Sequence, residues 1–274
     1  MSLGMDRVTR TLVAYQARNV ARSRWLVGYA LFFLVATDAL LRFGGSDPTR
    51  ALLSLSNVVL FVVPLVALVF GTTYLHDARE FTELLLAQPV RRGQLFAGLS
   101  LGLGLPLAGA FALGTTLPFA WHGLGADAAA VAVARTTLAA LVGCGVLLTA
   151  VFVALAFLIA TRADDKVRAL GTAVSAWLAL ALVYDGLVVV LVAVLADYPL
   201  EHPLLALMLA NPIDVARVLL LLRFDAGAVM GYTGAVFARV FQGPTGLVIA
   251  SAALALWAAV PAALGLRAFR RRDF

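Results

Sequence analysis

Long apolar stretches alternate with short polar ones along this chain. Residues 52–75, 95–119, 131–160, 169–196 and 246–266 are each apolar over at least 20 positions. A bilayer core about 30 Å thick is crossed by about 20 apolar residues in a helix. A sixth stretch, 25–41, is shorter and carries Asp38 near its outer end, so its limits are the least sharply drawn. The pattern predicts an all-α, polytopic membrane protein with six transmembrane helices.

Composition points the same way. Of 274 residues, 62% are hydrophobic and 13% charged, where a soluble chain carries about 25% charged residues. The pI near 10.1 suggests nucleic acid at first sight, but Lys and Arg in such a chain report topology. No nucleic-acid partner is expected. Six spans put both termini on one face. Fifteen of the 21 Lys and Arg lie in 1–24, 76–94, 161–168 and beyond 266. The other six are Arg42, Arg50, Arg135, Arg217, Arg223 and Arg239. The positive-inside rule then makes both termini cytoplasmic.

Residues 1–24 form a basic lead-in, not a cleavable signal peptide, because no small-residue cleavage site follows the apolar stretch that begins at Trp25. Arg7, Arg10, Arg18 and Arg22 share one side of a helical wheel, with Val8, Leu12, Val13 and Val20 opposite and Gln16 an imperfection among them. Residues 1–24 are therefore expected to form an amphipathic interfacial helix in the headgroup layer, its arginines toward anionic membrane lipids; a plain basic flank is the alternative. The remainder, 25–274, is the membrane domain, with a charged loop at 76–94 and an outer segment at 197–245.

Catalytic chemistry is sparse. Lys166 is the only lysine and follows Asp164 and Asp165, so the chain has no G-x-x-x-x-G-K phosphate loop. Cys144 lies in an apolar span, and His76, His122 and His202 show no metal-ligand spacing. No metal site and no enzyme activity are expected. Asp185 stands alone in the apolar run of the fifth span. Intramembrane charges are costly and often functional, so Asp185 is either a gate on a translocation path or a packing hydrogen bond. Gly98 and Gly102 form a G-x-x-x-G pair in the third span, the spacing at which helices approach closely in lipid. Pro64 and Pro106 interrupt the bonding of their helices.

The loop 76–94 is the one strongly charged island between two long spans. Asp77, Glu80 and Glu83 recur every third residue, Leu84, Leu85 and Leu86 follow, Pro89 ends or bends the helix, and Arg91 and Arg92 hold the chain at the surface. Leucines supply buried area and acids supply register, which suits a groove on a soluble partner; a helix folded on the protein's own face is the alternative.

The run L-L-L-x-x-P-x-x-R-G-Q at Leu84–Gln94 resembles the coupling helix of ABC-2 type transporter permeases. N-P-x-D-x-x-R, carried by Asn211, Pro212, Asp214 and Arg217, resembles the NosY-type members of that family, required for nitrous-oxide reductase maturation. Glu80 and Phe81 depart from the acidic run and Gly-Thr common before those leucines, which alters the docking surface. The resemblance implies a bacterial inner-membrane homodimer carrying two cytoplasmic ABC ATPase subunits, which hold the ATP and magnesium; this chain holds no cofactor. It also implies a periplasmic β-helical partner facing the outer segment, and a sulfur species or copper as cargo. Tyr198-Pro199 opens that segment and Asp214–Phe224 is amphipathic; a lid over its own bundle is the other reading. Met208, Met230 and Cys144 make no copper(I) relay of the soft-ligand kind. An exporter of lipid, drug or glycan, or a membrane anchor that transports nothing, are the competing functions.

Overall fold

The computed structural model describes residues 7–44, 48–87, 90–122, 128–194, 201–221 and 244–271. Every regular element in them is helical. A basic helix α1 (Arg7–Ala21) leads into α2 (Arg24–Phe43), α3 (Pro48–Asp77), the short α4 (Arg79–Leu86), α5 (Arg92–His122) and α6 (Ala128–Arg162). The fifth span is built in three pieces, α7 (Lys166–Leu178), a π-turn (Ala179–Val183) and α8 (Tyr184–Val194). Then come α9 (Glu201–Leu209), α10 (Pro212–Leu221) and α11 (Pro244–Arg271). Six helical stretches are long and apolar enough to cross a bilayer, as the hydropathy pattern predicts.

The centre is α3 against α6, flanked by α11 on α6 and by α1 and α2 on α5. Half or more of the apolar windows of α3 and α6 are buried, whereas few residues of α7 to α8 are. Phenylalanines join the layers: Phe33 meets Phe111 edge-on at 5.0 Å, tying α2 to α5. Phe96 touches Phe157 and Phe269, each at 5.6 Å, tying α5 to α6 and α11. Lipid tails are as apolar as these side chains, so close packing rather than burial from water holds spans together. Glycine makes it possible at two crossings. A Cβ at Gly71 would collide with that of Ala156 on α6, and one at Gly102 would sit 2.5 Å from the Cβ of Gln16.

The G-x-x-x-G pair thus serves α1. Thr9, Val13, Gln16 and Val20 form its buried face, and Gln16 belongs there: its Oε1 accepts from the Tyr74 hydroxyl at 2.8 Å. The polar imperfection on the helical wheel is an anchor point. Arg7, Arg10, Arg18 and Arg22 are exposed, as expected. Pro64 and Pro106 both lie inside continuous helices.

The four basic segments fall on one face. Tyr15 of α1 stacks on Phe81 of α4 at 6.0 Å. Lys166 Nζ donates to Asp77 at 2.7 Å, and Arg92 Nη1 donates to the Arg270 carbonyl at 2.8 Å. At the other end, Asp38 accepts from Arg42, Trp121 and His122, joining the ends of α2 and α5.

Candidate functional site

Two clusters among the described residues are candidate sites. On the basic face, α4 is a single helix of 8 residues clamped from several sides. Thr82 is buried and returns its hydroxyl to the Ala78 carbonyl. Phe81 lies on Tyr15, and Leu85 packs against the core. Glu80 and Glu83 are exposed, with Arg79 bonded to Glu83 at 3.2 Å, and Leu84 is 70% exposed.

Two expectations change. Asp77 is not part of an acidic face with Glu80 and Glu83, because it ends α3, a turn at Ala78 intervenes, and its carboxylate is engaged by Lys166. Nor is the leucine triplet one outward knob: Leu84 points out and Leu85 points in, since adjacent helix positions face different ways. Leu86 lies in α4, but its side chain, like Pro89, falls outside the described residues.

The exit from the loop explains the R-G-Q run. Gln94 Oε1 accepts from the Arg91 amide at 3.1 Å, half of a capping box at the start of α5. Arg92 reaches Arg270, and a Cβ on Gly93 would stand 3.1 Å from the Arg270 guanidinium. The loop is therefore bolted to α11 as well as to α3.

The second site gathers residues from distant parts of the chain. A π-turn bonds i to i+5 and leaves a carbonyl that an α-helix would satisfy. That carbonyl, Leu180 O, accepts from Asn211 Nδ2 at 2.9 Å. Asn211 is fully buried; its Oδ1 accepts from the Ile213 amide at 3.0 Å and caps α10, and its Nδ2 also reaches Asp214 at 3.0 Å. Pro212 takes the first helical position, where a missing amide costs nothing. Arg217 Nη1 donates to Asp214 at 2.8 Å, and Arg217 Nη2 to Asp185 at 2.9 Å.

N-P-x-D-x-x-R is thus one polar clasp between α10 and the fifth span, and Asp185 is its far end. The solitary Asp185 of the sequence reading has an ion partner, 32 positions away. Burial pushes the Asp214 carboxyl from its ordinary 3.8 up to about 6; the Arg217 guanidinium pulls it back, and the Asp185 charge adds to the rise.

The sequence reading also missed the supports around the clasp. The Tyr184 hydroxyl donates to the Leu207 carbonyl and Trp257 Nε1 donates to the Leu209 carbonyl at 3.0 Å, satisfying the last turn of α9 from two spans. Aromatic side chains with one polar atom, inside apolar runs, were the available signal. Most of α10 is buried. The stretches 197–200 and 222–243, including Phe224 and Met230, lie outside the described residues.

The family described as ABC-2 family transporter protein matches residues 11–274. A protein of Pseudomonas aeruginosa named "Probable ABC transporter permease protein NosY" is 32% identical, covering 97% of this chain and 98% of its own length. A protein of the same name from Stutzerimonas stutzeri is 29% identical over 92% of this chain and 94% of its own. The chain belongs to the ABC-2 family of transporter membrane proteins, as a NosY-like permease subunit.

Proposed function

We propose that this permease is the membrane half of an ATP-driven transporter of the bacterial inner membrane, with its basic face in the cytoplasm. Two copies pair with two ABC ATPase subunits, which hold the ATP and magnesium. The observation that carries this is α4: a helix fixed to α1, α3 and the bundle core that presents Leu84, Glu80 and Glu83 outward. A side chain packed at both ends of a rigid helix transmits displacement, which a floppy tether does not. The cargo is a sulfur species or copper for the copper centres of nitrous-oxide reductase, and a β-helical periplasmic protein receives it. Cys144 is buried with its thiol against the Ala216 carbonyl, and Met208 is buried as well. Among the described residues these two soft donors are committed to packing, which favours the sulfur species over a copper ion relayed along this chain.

The test is copurification from native membranes with mass-spectrometric identification. Wild type is expected to bring a P-loop ATPase and a periplasmic repeat protein. Leu84→Asp is expected to lose the ATPase while remaining membrane-inserted and monodisperse. Leu85→Asp, whose side chain points inward, loses the helix and the partner together. Unchanged ATPase recovery with Leu84→Asp would overturn the docking assignment.

A further inference from the structure

The joint between α1 and α2 stands over a groove that none of the contacts above fills. It has a volume of about 710 Å³, within the about 300–1,000 Å³ of ordinary ligand sites. Its two ends differ in chemistry. At the basic face the lining includes Arg22, Asp77 and Lys166; deeper in, it is Val69, Phe70, Leu103 and Leu107. From Asp77 to Val69 along α3 is about 12 Å at 1.5 Å per residue, roughly the step from a headgroup to the middle of an acyl chain. Trp25 stands at the rim, 75% exposed, with its ring 6.5 Å from that of Phe70, a placement typical of tryptophan at a membrane–water boundary.

We propose that this groove is a site for one anionic phospholipid of the leaflet on the basic face, its phosphate at Arg22 and Lys166 and one acyl chain between α3 and α5. Charge selects the headgroup. Lys166 and Asp77 neutralise one another at 2.7 Å, and Arg22 is exposed and makes no ion pair among the described residues, so the mouth carries one net positive charge. A phosphatidylglycerol phosphate meets that charge without a competing cation, whereas a choline headgroup brings its own. The apolar walls select a chain over a free anion: inorganic phosphate would leave them bare. A lipid seated here would wedge the α1–α2 joint against α3, directly above the turn into α4.

The intact chain, purified in mild detergent, is titrated with palmitoyl-oleoyl phosphatidylglycerol or with phosphatidylcholine of the same chains, and lipid retained per chain is read by native mass spectrometry. One phosphatidylglycerol is expected to survive activation that strips phosphatidylcholine. Arg22→Gln, at an exposed position that leaves the fold alone, weakens retention about fivefold, the worth of one cation near an anionic surface. Val69→Trp, which fills the deep end, removes both lipids. Equal retention of the two lipids, or retention indifferent to Arg22→Gln, would overturn the assignment. So would loss of lipid whenever two copies of the chain associate, because the groove would then belong to the dimer.

Discussion

At the scale of single residues, Asp214 is a carboxyl whose chemistry is altered by its setting. Its carboxyl titrates near 6 when folded against an ordinary 3.8, chiefly because it is buried. A carboxyl raised in the folded state holds its proton more tightly there than in the unfolded chain. The stability it contributes is therefore complete below about pH 4 and is lost as pH climbs through about 6. The melting temperature of the detergent-solubilised protein is expected to fall across that window, and Asp214→Asn to flatten the fall. An unaltered slope in the variant would assign the pH dependence elsewhere. Sequence inspection singled out Asn211, Pro212, Asp214, Arg217 and Asp185. What it could not supply was their union. An ion pair across 32 positions leaves no periodic trace, and the π-turn that frees the Leu180 carbonyl has no composition of its own.

Among elements, the helices overrun their apolar stretches by one to five residues at nearly every end. Hydropathy marks where hydrocarbon stops, whereas a helix continues until its backbone is capped. Ser23 caps α2 at Leu26, Asp165 caps α7 at Arg168 and Gln94 turns back on Arg91. The existence of the six spans was legible because about 20 apolar residues admit little else. The docking of α1 was only half legible: G-x-x-x-G announced a close contact, but not with which helix. Two glycines of α5 separate the cases. Gly102 has Gln16 at 2.5 Å, whereas a Cβ at Gly109 would meet nothing within 4 Å. Gly102→Leu is expected to dislodge α1 and cost about 1–3 kcal/mol; Gly109→Leu is expected to be silent. Disulfide cross-linking between cysteines placed at Tyr15 and Phe81 reads the outcome. It should persist in the second variant and disappear in the first.

For the whole molecule, the arrangement is one of fixed ends. The basic face is tied by Asp77 to Lys166 and by Arg92 to the end of α11, and the fifth span is tied to α10 through Asp185 and Arg217. If the clasp takes part in transport, Arg217→Gln alters ATP turnover of the assembled complex more than Asp185→Asn, because it removes the Asp214 pair as well as the Asp185 pair. The double variant is then no worse than Arg217→Gln alone. Wild-type turnover in all three, with a lowered melting temperature, would leave the clasp a packing role alone. The Asp77–Lys166 bridge has a different consequence. Lys166 supplies the only side-chain amine of the chain, and it is half exposed at the root of the loop that carries α4. An acylating dye therefore labels this protein internally at a single address. If α4 docks an ATPase as proposed, the bound subunit would shade that address, and the loss of labelling would report its attachment.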